Sequence, residues 1–432
     1  MANSGKPGGR ISVWTLVLTS AISMIVIVIS LNFVTGEKKV AAAPERLYPL
    51  TDPQFKRAMG SLFGPPIVDG NHVTTLRNGD EIFPSMLAAI RGAKKNIDFE
   101  TYVYWSGDIG REFANAIAER ARAGVHCNVL LDWAGTQKMD ASALSTLRDA
   151  GVRVELYHPL AWYSLARLNN RTHRKLLIVD GTTAFTGGVG IAQEWTGDAQ
   201  DPDHWRDTHF RVEGPAVAQM QSGFLDNWMK LTGQAHHGAD YFPPLENKGD
   251  VDAQLLLSSP TGGDESMELM YLLAIAAAST SIELEAAYFI PDEIATRALI
   301  DARKRGVDVQ IILPGPMADS GLTRHASRST WGPLLEAGVH IHEYQPTMFH
   351  CKVLIVDRLL TSLGSTNFDA RSFRLNGEAS LNVYDATFAA RQSAIFTDDK
   401  RRSREYTLEN WNERSWLDRT REWLVSTLDS QL

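Results

Sequence analysis

The chain has 432 residues, 44% hydrophobic and 22% charged, a globular balance with enough apolar material for more than one core. Its net charge of −8 gives the molecule as a whole no electrostatic pull on nucleic acid, so no such partner is expected. The two cysteines, Cys127 and Cys351, both lie in apolar runs and exclude a disulfide framework.

In chain order the first element is an uncharged run, ISVWTLVLTSAISMIVIVISLNFV, at residues 11–34. As a helix it would reach roughly 36 Å, enough to cross the hydrocarbon of a bilayer with some tilt. Its length, and the Pro44 that follows Ala41-Ala42-Ala43, favour an uncleaved anchor over a signal peptide. Residues 1–10 are then a short tail and 35–80 a tether and entry segment, with a turn signal at Asn78-Gly79. Lys6 and Arg10 on one side and Lys38 and Lys39 on the other leave the orientation open.

Beyond residue 80 the pattern alternates. Helical spacing over 84–95 leads to the strand-like IDFETYVYW (97–105), then helical spacing over 110–123, then HCNVLLDW (126–133). This β-α-β order predicts a parallel sheet covered by helices. The same order returns in the second half, where ELMYLLAIAAASTSIELEAAYFI (268–290) and DARKRGVDVQIILPG (301–315) parallel the first pass. One α/β domain is therefore duplicated, over 81–231 and 251–432, with the polar, Gly- and Pro-containing 232–250 as linker. The apolar and aromatic stretch 158–170 has no counterpart in the second half. It reads either as a loop packed under the domain or as a lip against acyl chains.

Each half ends its pattern on nearly the same string, HRKLLIVD at 173–180 and HCKVLIVD at 350–357. In extended chain, residues i and i+2 share a face, so His173 and Lys175 point one way, as do His350 and Lys352. The aliphatic runs that follow read as strands buried on both faces. Asp180 and Asp357 fall an odd number of residues past the lysine, which suits a structural role at the strand-end turn. Small-residue turns follow, Gly187-Gly188 and Gly364-Ser365.

Two copies of H-x-K-x4-D, each leading to such a turn, resemble the phospholipase D superfamily. His173, Lys175, Asp180, Gly187 and Gly188 match its first motif, and His350, Lys352, Asp357, Gly364, Ser365 and Asn367 its second. Gly190 departs from the pattern by standing at the first asparagine place. The resemblance implies two tandem α-β-α sandwich domains with mixed, mostly parallel sheets behind the anchor. It implies a catalytic set of His173, Lys175, Asp180, His350, Lys352 and Asp357, with Asn367, Ser365 and Gly188 binding phosphate. The chemistry agrees: a phosphodiester needs a nucleophile, a proton donor for the leaving oxygen and fixed positive charge, which two histidines and two lysines supply. No metal or other cofactor is then expected.

A nucleophilic histidine also needs a carboxylate on its other ring nitrogen. Asp207 follows His173 in the first half and Glu378 follows His350 in the second, and the superfamily resemblance gives matching acids this orienting role. RTHRKLLIVDG, WRDTHFRVEGPAV and GSTNFDARSFRLNGE further resemble bacterial cardiolipin synthases. That resemblance implies phosphatidyl transfer between two phosphatidylglycerols, or related phospholipids, at the bacterial inner membrane, with His173 as nucleophile and His350 as acid and base. A phospholipid hydrolase using water, a nuclease and a non-catalytic scaffold are the alternatives, and the anchor with the acidic charge counts against the nuclease.

Overall fold

A computed structural model describes residues 12–31, 40–159, 169–259 and 266–426. In the first half the strands are β1 (Val68–Arg77), β2 (Asn96–Thr101), β3 (His126–Asp132), β4 (Arg153–Tyr157), the short β5 (Arg171–Thr172), β6 (Leu176–Val179), β7 (Thr183–Gly187) and β8 (Thr208–Glu213). The second half adds β9 (Val251–Leu257), β10 (Ser281–Ala286), β11 (Phe289–Ile290), β12 (Asp308–Pro314), β13 (His340–Tyr344), β14 (Lys352–Val356) and β15 (Leu360–Gly364). It closes with β16 (Phe368–Asp369), β17 (Asn376–Gly377), β18 (Ala379–Tyr384) and β19 (Ser403–Tyr406).

Among the described residues, fifteen of these strands form one sheet in the order β19-β13-β12-β10-β14-β15-β18-β9-β1-β8-β7-β6-β2-β3-β4. Outward from the β9–β1 seam the two halves run in the same order, and only β19 lacks a counterpart. The duplication read from the sequence is therefore a pseudo-twofold within a single continuous sheet, where two separate sheets were expected. The expected parallel majority is also corrected. Within this sheet, among the described residues, only β2-β3-β4 and β10-β12-β13 run parallel, while β6, β7, β8 and β1, and their equivalents, are antiparallel. Short turns such as 180–182 and 357–359 can join only antiparallel neighbours.

The strand LLIV shows the alternation that makes the layers. Leu177 and Val179 face the core of the first half with helices Asn78–Gly92 and Asp108–Arg122, and Leu176 and Ile178 face a core shared by both halves. Helices Ala216–Thr232 and Ala386–Arg401 cover that shared core, and helices Ser266–Ala277 and Glu293–Lys304 cover the far face of the second half. The result is a three-layer α-β-α arrangement.

The segment 35–80 is not a mere tether. Residues 32–39 lie outside the described residues, but Val40, Leu50 and helix Pro53–Leu62, through Phe55 and Met59, are buried in the core of the second half. β1 is an interior strand of the sheet, so the first lobe begins at Val68. Between helix Ala216–Thr232 and β9 no strand or helix occurs. Both cysteines are buried and free.

Helix Val13–Leu31 carries no charge, and its described side chains are exposed, Trp14 at 81%. Among the described residues no helix is long and apolar enough to cross a membrane. This one reaches roughly 28 Å, just under a typical hydrocarbon thickness of about 30 Å. Of the aromatic stretch 158–170, residues 160–168 lie outside the described residues.

Candidate active site

The lead-in to each H-x-K string is what brings the halves together. β5, just before His173, pairs in parallel with β17 of the other half, and the His173 amide donates to Gly377 O at 2.8 Å. The equivalent bridge in the second half joins Arg206 to Phe349, and the His350 amide donates to Arg206 O at 2.7 Å. These two small ladders hold the histidines beside the acidic segments of the opposite lobe. The strands proper start at Leu176 and Lys352, so the H-x-K residues occupy extended chain at the strand mouths.

The carboxylate pairing is consequently crossed. His173 Nδ1 donates to Glu378 Oε1 and Oε2 at 2.9 and 3.0 Å, and His350 Nδ1 donates to Asp207 Oδ2 at 2.8 Å. Asp207 and Glu378 do meet histidines, but each meets the one in the other half from that expected. Because a carboxylate only accepts, Nδ1 carries the proton in each ring and Nε2 keeps its lone pair, which at His350 faces Lys352 Nζ at 3.3 Å. Both rings line one cavity of about 300 Å³.

Burial sets the electrostatics. It holds the His173 imidazole down to about 4 against the pull of Glu378, and it lowers His350 too, with Lys352 adding to the effect. Lys175 is lowered to about 7 and Lys352 is also lowered, in both cases chiefly by burial. Burial pushes the Glu378 and Asp207 carboxyls up, yet their histidines, lysines and hydrogen-bond donors outweigh it and keep both below the carboxylate range. Each ammonium folds back on its own histidine, Lys175 Nζ to His173 O at 2.9 Å and Lys352 Nζ to His350 O at 2.7 Å. Tyr102 lies edge-on to His173 and Tyr288 edge-on to His350.

Residues 86–225 and 271–400 match the family described as cardiolipin synthase, PLD-like domain. The chain belongs to that family. Cardiolipin synthase A of Pseudomonas syringae pv. syringae (strain B728a) is 35% identical over 363 residues, 83% of this chain and 74% of that protein. The major cardiolipin synthase ClsA of Bacillus subtilis (strain 168) is 34% identical over 355 residues, 81% of this chain and 73% of that protein. The crystal structure of phosphatidylserine synthase from Haemophilus influenzae Rd KW20 covers 88% of this chain and 100% of its own, with a TM-score of 0.62. Its 14% identity makes that a likeness of fold.

Within this PLD-like cardiolipin synthase frame, the remaining motif residues separate. Asn367 lines the cavity, and its amide oxygen has no hydrogen-bond partner. Ser365 and Gly188 do not line it. The Ser365 hydroxyl donates to Glu378, and Gly188 makes room, since a Cβ there would lie 2.2 Å from Asp207 Oδ1. Gly190 is explained the same way: a Cβ would meet Val103 at 2.6 Å and the Trp195 ring at 3.3 Å. Trp195 Nε1 donates to Asp207 Oδ2 at 2.9 Å, so the first lobe gives up the motif asparagine and gains an indole that orients its acid.

Asp180 and Asp357 sit at the far ends of β6 and β14, away from the cavity. Asp180 accepts the amides of Lys94, Lys95 and Asn96, and Asp357 those of Ser279, Thr280 and Ser281, each tying down the start of the neighbouring strand. Both therefore stand at the strand ends, away from the cavity that the histidines line. The cavity walls also hold Trp205, Asp319, Arg371 and Asn376, which sequence reading did not single out. Only the clustering of Trp195 and Trp205 around the first-half acid was a usable signal. Among the described residues no group of three or more His, Cys, Asp or Glu side chains is placed to hold a metal ion.

Proposed function

We propose that the two imidazoles divide a ping-pong phosphatidyl transfer within this cavity. The protein is a phosphatidyltransferase of the phospholipase D superfamily that makes cardiolipin. The observation that carries the mechanism is a single cavity lined by both histidines, each with Nδ1 committed to a carboxylate of the other half.

His173, neutral because burial holds its pKa near 4, attacks the phosphorus of phosphatidylglycerol through Nε2. The bond from phosphorus to the head-group glycerol oxygen breaks, and His350 gives that oxygen a proton. The arriving phosphate anion favours the protonated form of His350, which burial alone disfavours. A second phosphatidylglycerol then enters. His350 removes the proton from its hydroxyl, the oxygen displaces His173 from phosphorus, and cardiolipin leaves. Lys175, Lys352 and Asn367 counter the charge on the non-bridging oxygens. The full segment 11–34 reaches past the described helix on both sides. Its composition supports a single-pass anchor in the bacterial inner membrane.

Purified protein with labelled phosphatidylglycerol vesicles tests the scheme. Cardiolipin and free glycerol are expected, and phosphatidic acid in their place would establish hydrolysis instead. Replacing either histidine with alanine should stop turnover, and His350→Ala should still accumulate a labelled covalent adduct while His173→Ala accumulates none. Adducts in both variants would overturn the division of labour.

A further inference from the structure

The duplicated halves do not build equivalent cavity walls. The strand pair β11–β16 matches the bridge between Tyr104 and Ile191, which sets Tyr288 opposite Val103 in the duplication. Each end nevertheless has a phenol edge-on to its histidine, Tyr102 at His173 and, one register place further along, Tyr288 at His350. The Tyr288 phenol donates to Asp319 Oδ2 at 2.6 Å. Burial and the neighbouring carboxylate both push the Tyr288 pKa well above its ordinary value, so it stays a donor.

Asp319 lines the cavity from an exposed place at its rim, and its charge acts on both His350 and Lys352. Around the same imidazole stand two indoles, Trp195 with ring centroids 5.2 Å from His350 and Trp205 at 5.6 Å. The His173 end differs in charge. Its wall holds Arg171, Arg371 and Asn376.

A phosphodiester has no proton to give a carboxylate and repels it as a like charge. An uncharged polyol does the reverse: its hydroxyls donate strong charge-assisted bonds, and its carbon face packs on aromatic rings. We propose that Asp319 and Tyr288, with the Trp195 and Trp205 rings, form a subsite for the free hydroxyls of the glycerol head group beside His350. It takes the departing glycerol first and the incoming head group second, and it sets the preference for a diol over a simple alcohol. The inference rests on the phosphatidyl-transfer reading above. It also gives a structural reason for the glycerol oxygen to meet His350.

The test uses the full chain on vesicles of labelled phosphatidylglycerol, offered 1,2-propanediol and 1-propanol together at equal concentration. The ratio of the two phosphatidyl alcohols reads the subsite at any overall rate. The unaltered protein should favour the diol. Asp319→Ala should lower that ratio by about tenfold, the loss expected of one charged hydrogen bond, and Tyr288→Phe by a few-fold. An unchanged ratio in Asp319→Ala overturns the proposal, as does loss of both products together. A fall seen only when ethanolamine competes with 1-propanol would assign the carboxylate to an ammonium and overturn it too. If the unaltered protein makes neither cardiolipin nor any phosphatidyl alcohol, it is the transferase reading that fails.

Discussion

Lys175 shows how closely charge and burial are balanced at this site. The residue is 3% exposed, and burial lowers its ammonium to about 7 although Glu378 pulls it back up. As pH rises through that value the group loses its proton, and the phosphorane-like transition state loses one of its cations. kcat/KM should therefore decline from about pH 7 upward, far below the usual lysine range. His173, near 4, is already neutral there and sets no limit on that side. Lys175→Arg keeps its charge through this window, because a guanidinium does not deprotonate. The variant should have a lower peak rate and an alkaline limb displaced upward by a pH unit or more. Initial rates on phosphatidylglycerol in mixed micelles, from about pH 5 to 9, measure this, and a limb that stays in place would exonerate Lys175.

Among the elements, the N-terminal helix is the one on which the proposed anchor depends. Its described apolar side chains find no core to enter, whereas Val40, a few residues on, is buried among second-half residues. Carbonate extraction at alkaline pH should leave the full chain in the membrane fraction and release a chain begun at Val40; release of both would remove the anchor. Elements with a strong local period were legible in the sequence. The spacing over 110–123 is realised as helix Asp108–Arg122, and LLIV and VLIV are the buried strands they resemble. What failed were features decided at a distance. Asn78-Gly79 reads locally as a turn, yet it opens helix Asn78–Gly92, with Asn78 at φ 54° and its amide donating to Asp207 O. Helix Pro53–Leu62 buries Phe55 and Met59 against residues some two hundred positions later, and nothing nearby in the chain announces it.

At the scale of the whole molecule, the duplication is closed by exchange between the lobes, and the site exists only because of it. The H-x-K strings and both acids could be read from the sequence, since their residue types carry the chemistry. Their pairing could not, because β5 with β17 and Arg206 with Phe349 are contacts that no periodicity encodes. The crossing gives each acid its own step. Glu378 holds the nucleophile in the proposed scheme, so Glu378→Gln should slow formation of the covalent adduct by about a hundredfold or more, as loss of the orienting acid does in triads. Asp207 holds the acid and base, so Asp207→Asn should let the adduct form and then accumulate, because proton removal from the incoming hydroxyl is impaired. Rapid-quench counting of labelled protein distinguishes the two. If Glu378→Gln accumulates adduct and Asp207→Asn fails to form it, His350 and not His173 is the nucleophile, and the division of labour is reversed.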